Sequence, residues 1–139
     1  MQFICDTPGG KSWFRIETEG EAAFESDAMS HAVEKHFHLA WEAAVDSYRS
    51  SGRSFVEQNI GLKDHVRRVM PLFLTLRDPE GSTLATAMLP PGGQYDPSFR
   101  IIIVGRENRD PYPEHEGAIA MLGQHFGLNL DRGHCYPYS

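Results

Sequence analysis

Residues 72–89 read L-F-L-T-L-R-D-P-E-G-S-T-L-A-T-A-M-L, and this stretch decides the fold. Leu72 to Leu76 is a run of apolar residues broken only by Thr75, the composition of a strand buried in a sheet. Asp78-Pro79-Glu80-Gly81 follows, with proline at the second position and glycine at the fourth of a four-residue β-turn. Leu84 to Leu89 then returns as the partner strand. Two strands joined this tightly are antiparallel, which excludes a purely parallel βαβ architecture at the centre of the chain.

The flanking segments extend the same pattern. Phe3 and Cys5 alternate with polar neighbours, Asp6 to Lys11 form a Pro-Gly-Gly turn, and Trp13 to Glu17 alternates again, so a second hairpin is expected near the N-terminus. On the other side, Pro90 to Pro97 is a loop and Phe99 to Val104 is a further strand. That strand is apolar on both faces, which predicts a central place in its sheet.

Helical periodicity fills the remainder. Thr18-Glu19-Gly20-Glu21 has the form of a capping box, and one long helix is expected from there to about Ser50. Its apolar stripe is Met29, Val33, Phe37, Trp41, Ala44, Val45 and Tyr48. Residues 54–60 suit a strand or a helix equally. Leu62, Val66, Val69 and Met70 share one helical face that Pro71 ends. A last helix runs between Pro113 and Gly127, with Ala118, Ile119, Leu122 and Phe126 inward. The aromatic residues of the tail after Leu128 predict that it packs. These elements give one α+β domain over residues 1–139. We expect about five mostly antiparallel strands, with one long helix and one or two shorter helices on one face.

The totals narrow function by exclusion. The chain has 139 residues, 40% hydrophobic and 23% charged, the balance of a globular domain and not of a disordered chain. Thirteen Lys and Arg against 19 Asp and Glu give a net charge of −6, which argues against nucleic-acid binding. Apolar runs such as Ile101 to Val104 are far short of a membrane span. Met1 to Asp6 lacks the basic start and apolar stretch of a signal peptide, so a cytoplasmic location is expected. Cys5 and Cys135 fit no zinc spacing and are expected as free thiols. The cations Arg49, Arg53, Lys63, Arg67, Arg68 and Arg77 stand against only Glu57 and Asp64. They read as a solvated helix face or a docking patch for an acidic partner.

Three motifs point toward chemistry. Gly10-Lys11-Ser12 matches the tail of a phosphate loop, but Cys5 stands at the first glycine position and a strand pattern follows where a helix is required. No nucleotide is expected. His134-Cys135 places an imidazole beside a thiol, yet neighbouring residues of an extended chain point apart, so activation of the thiol is not expected. His31, Glu34 and His38 carry more. On a continuous helix at about 100° per residue His31 and His38 point nearly the same way, with Glu34 within roughly 60° of both. Imidazole and carboxylate suit a divalent metal such as zinc, iron or manganese. A further donor would come from His65, His115, His125 or His134. The same spacing also suits an ordinary helical Glu–His pair beside the core.

The expected function is therefore a small cytosolic binding or protein-interaction module without chemistry of its own, taking a protein or small-molecule partner. Charge segregation, and residues 54–60 as an edge strand or swapped arm, favour a homodimer. The alternative is a metal-dependent, hydrolase-like enzyme using His31, Glu34 and His38. Any pocket is expected where loop 90–97 and residues 107–115 approach the long helix.

Overall fold

A computed structural model describes residues 1–52, 54 and 56–139; Arg53 and Phe55 lie outside the description. Five strands form one antiparallel sheet in the order of the chain: β1 (Gln2–Asp6), β2 (Ser12–Arg15), β3 (Leu72–Arg77), β4 (Thr83–Leu89) and β5 (Ile102–Val104). Both predicted hairpins are present, β1–β2 and β3–β4. Between β2 and β3 the chain makes three helices, α1 (Glu19–Met29), α2 (Val33–Arg49) and α3 (Leu62–Val69). After β5 comes α4 (Tyr112–Phe126). The α+β class with an antiparallel five-stranded sheet is as expected.

The helices are not gathered on one face, which corrects the sequence expectation. Side chains alternate along a strand, and here both rows carry buried apolar residues. Trp13, Leu72, Leu74, Leu76, Ala85, Ala87, Leu89 and Ile103 form one core with Ala118, Ile119 and Leu122 of α4. Phe73 belongs to a second core with Ile16 of the β2–α1 connection, Ala22 of α1, Val33, Phe37, Ala44 and Val45 of α2, and Val66 and Met70. The sheet is thus a middle layer with α1–α3 on one side and α4 on the other. The run Leu72 to Leu76 is buried throughout because both of its faces are covered.

The strand near residue 103 needs a second correction. It is shorter than expected, and it lies at the edge of the sheet rather than its centre. Its two apolar faces arise differently. Ile103 enters the α4 core, Ile102 and Val104 line a cavity on the other face, and the C-terminal tail closes its outer flank. Tyr136 N–H donates to the Ile101 carbonyl at 2.8 Å, and Ile103 N–H donates to the Tyr136 carbonyl at 3.3 Å. The tail packs as predicted: Leu128, Leu130 and Cys135 are all buried in the α4 core.

The expected single helix from Thr18 to Ser50 is two. The capping box is present, with Thr18 accepting from Glu21 N–H and the Glu21 carboxylate accepting from Thr18 N–H. The helix stops at Met29. Ser30 adopts a left-handed conformation (φ 53°), and the chain restarts as α2 at Val33. Ser and His are indifferent helix formers, and tertiary contacts decide the break. Ala32 at the new N-terminus has no capping side chain, and Ser26 Oγ of α1 accepts the Glu34 N–H in its stead at 2.8 Å. The expected stripe is buried at Phe37, Ala44, Val45 and Tyr48, but Trp41 within it is 40% exposed.

Residues 56–60 form turns rather than a strand arm, residue 54 is irregular, and Phe55 falls outside the described residues. No helix among the described residues is long and apolar enough to cross a membrane.

Candidate functional site

The break between α1 and α2 creates the most developed polar site in the molecule. Ala22, Glu25 and Met29 are the buried positions of α1, so a carboxylate occupies the middle of its inner face. Glu25 is fully buried. It lies over Thr75 of β3 and Thr86 of β4, which are direct cross-strand partners. Thr75 Oγ1 donates to Glu25 Oε1 at 2.9 Å, and Thr86 Oγ1 donates to Glu25 Oε2 at 2.5 Å. Arg77 completes the cage. Its Nη2 donates to Glu25 Oε1 at 3.2 Å, its Nε donates to Thr75 Oγ1 at 3.0 Å, and the guanidinium lies 5.4 Å from the Phe24 ring centroid. Every oxygen of the buried carboxylate is therefore partnered, as burial of a charge requires.

His31 joins this network from the helix break. Its Nε2 lies 2.8 Å from Thr86 Oγ1, whose only proton already goes to Glu25. Nε2 must therefore carry the proton and donate. Nδ1 is then the acceptor, and Val33 N–H donates to it at 3.4 Å. The hydrogen bonds thus select one neutral tautomer. Burial pushes the His31 pKa below the ordinary imidazole value, and the Glu25 carboxylate, pulling upward, does not overcome it.

This imidazole faces a cavity of about 310 Å3 between the helix break, the open half of the sheet and the tail. Phe73, Met88, Ile102 and Val104 supply apolar walls, with Asn108 and Tyr136 at the rim. Asn108 follows Glu107, and both are left-handed (φ 60° and 57°) in a short 3-10 turn, Arg106–Asn108, that closes one side. Strained backbone of this kind concentrates at binding sites. The 107–115 segment thus reaches the helix region as expected. Loop 90–97 does not: Pro90, Tyr95, Asp96 and Pro97 instead border a separate depression with His134 and Ser139.

The metal-ligand candidates are separated by the helix break. His31 points to Thr86. His38, on α2, bonds Glu19 through Nδ1 at 2.5 Å and lies 3.1 Å from Glu42 through Nε2, using opposite edges of one ring. The hydrogen bond from Glu19 chiefly, and the Glu42 charge, raise the His38 pKa. Glu34 is exposed beyond both. Among the described residues no three His, Cys, Asp or Glu side chains converge as metal ligands would.

The other motifs resolve into structure. Gly9 and Gly10 hold positive φ in the β1–β2 turn, and Lys11 Nζ donates to His115 Nδ1 at 3.0 Å. Cys135 is fully buried, and burial raises its pKa, so no thiolate forms beside His134. Cys5 is raised by burial as well, and both cysteines are free.

Sequence reasoning missed Glu25, Thr75, Thr86 and Arg77 as a group. The signal was present as polar residues at apolar positions. Thr75 interrupts a leucine-rich strand, Thr86 sits between two alanines, and Glu25 falls at helical spacing between Ala22 and Met29. Comparison with protein-family models, curated proteins and solved structures finds no match to this chain.

Proposed function

We propose that the protein is a small-molecule binding module whose ligand enters the cavity beside His31. The ligand class is a neutral, largely apolar molecule with one hydrogen-bonding group. The supporting observation is the His31 imidazole, held in one tautomer by Thr86 and Val33 at the wall of a mainly apolar cavity that His36 and Asn108 also line. Such a combination, apolar walls with a few oriented polar groups, is what ligand sites are built from. An anion would meet the Glu25 carboxylate beneath the cavity, and a cation would find that carboxylate already paired with Arg77, so a neutral ligand is favoured.

The test is an NMR titration with p-cresol, indole and octan-1-ol, following the His31 ring and the Met88 methyl group. Saturable shifts that vanish in Val104→Trp, which fills the cavity, support the proposal. Three probes that leave both signals unmoved up to their solubility would overturn it.

The module is taken as cytosolic on the strength of its two free thiols. A homodimer belongs to the same proposal. Strand β1 is an outer strand of the sheet, and Phe3 on it is 53% exposed, which is an opening for strand pairing between copies. Light scattering checks this: a mass of twice 15.6 kDa supports the dimer and a mass of 15.6 kDa at high concentration removes it. The metal-dependent hydrolase draws no support from the geometry of His31, Glu34 and His38.

A further inference from the structure

A second cleft of about 390 Å3 lies between α2, α3 and the end of β2, separate from the cavity at His31. Its floor is apolar: Phe37, Val66 and Met70 are buried there, and Trp41, 40% exposed, stands at its side. Its charge is one-sided. Arg15, Lys63 and Arg67 line it against a single carboxylate, Glu17. Glu17 is already committed to Arg67. Arg67 also holds Gln2. Arg15 and Lys63 form no ion pair among the described residues. The described hydrogen bond of the Arg15 guanidinium is to the Arg67 carbonyl at 2.7 Å, in the last turn of α3. Arg15 is half-buried in this position. Burial, with the Arg67 charge beside it, pulls the Arg15 pKa down to about 10.

A partly desolvated guanidinium without a counter-charge, beside an apolar floor, is complementary to an anion with an oily body. We infer that this cleft binds a small organic carboxylate, its head between Arg15 and Lys63 and its chain along Trp41 and Met70. The docking-patch expectation for the basic segment 49–77 thereby narrows to one place and one ligand chemistry. The inference is independent of the cavity at His31, which takes neutral molecules.

Trp13 is fully buried and Trp41 is not, so tryptophan fluorescence reports on the cleft. The experiment titrates the full chain with octanoate, with octan-1-ol, with acetate and with a hexaglutamate peptide. The expected result is saturable change with octanoate, weakened by salt, and roughly tenfold weaker binding when Arg15→Gln or Lys63→Gln removes a charge-assisted contact. Octan-1-ol and acetate, each lacking half of the ligand, bind at least roughly tenfold more weakly. Arg15 also supports the end of α3, so circular dichroism accompanies that variant. Lys63 is exposed, and its substitution leaves the fold intact. Octan-1-ol matching octanoate, hexaglutamate binding where octanoate does not, or an unchanged affinity in folded Lys63→Gln would each overturn the inference.

Discussion

Glu25 is a carboxylate sealed beneath a helix, and its neighbours define what each of its atoms does. Removing one partner of a buried ion pair leaves the other uncompensated. Glu25→Gln is expected to lower the unfolding free energy by about 3–5 kcal/mol, measured by urea denaturation, since Arg77 is left with its side chain 11% exposed. Replacing both partners, in Glu25→Leu with Arg77→Met, is expected to recover most of that loss. Strict additivity of the two single substitutions would show that the pair does not act as a unit. Thr86→Val removes two hydrogen bonds, leaving Glu25 Oε2 without its donor and His31 Nε2 without its acceptor, a smaller loss of about 1–3 kcal/mol.

The two histidines on either side of the helix break should titrate in opposite directions. His31 is held neutral in the fold, and a proton on Nδ1 would point at the Val33 N–H. Its folded pKa is lowered by burial. The unfolded chain therefore binds that proton more readily, and stability falls as pH drops through the ordinary imidazole range toward the lowered value. His38 is the reverse case, raised first by the Glu19 hydrogen bond. Its contribution is complete below the ordinary imidazole pKa and is lost as pH rises through the raised one. Histidine NMR titration should place His38 above His31, with Glu19→Gln moving only His38. Glu19→Gln with no effect on His38 would remove the assigned cause.

At the scale of elements, the capping box at Thr18 was plain from spacing alone. Thr18→Ala is expected to cost about 1 kcal/mol in thermal or urea unfolding. The break thirteen residues later was not plain, because no proline or glycine marks it. Met29, Val33 and Phe37 keep helical spacing straight through it, and only the pull of Thr86 on His31 and of Ser26 on Glu34 reveals why the chain turns. These are contacts across the fold, invisible to any local window. The candidate metal triad failed to assemble for the same reason, since its geometry assumed an unbroken helix. The hairpins, by contrast, were legible because turn chemistry and alternation are local. The polar network was half legible: threonines and a glutamate at apolar positions were in view, but nothing in the chain says which of them meet.

For the whole molecule, two cores on one sheet explain why β3 is buried along both of its rows, and why β5 resembles a central strand while lying at the margin. The sequence pattern showed a strand at Phe99 to Val104 that is apolar on both faces, but not that helices cover both sides of the sheet. The packing between layers is close at Gly93, where an added Cβ would sit 2.2 Å from the Phe126 ring with φ at +68°. Gly93→Ala is therefore expected to destabilise by about 1–3 kcal/mol, through both crowding and backbone conformation. Gly9 has a similar φ of +83° and nothing within 4 Å, so Gly9→Ala isolates the conformational part, about 1 kcal/mol. Equal losses at the two sites would show that α4 yields to the intruding methyl group.

The tail that closes β5 has a practical consequence. Tyr136 and Pro137 form part of the cavity wall, so any linker or affinity tag joined after Ser139 leaves the domain within two residues of that wall. Under the proposed binding, fusions there should disturb p-cresol uptake while sparing octanoate, and attachment through Met1 would leave the wall untouched.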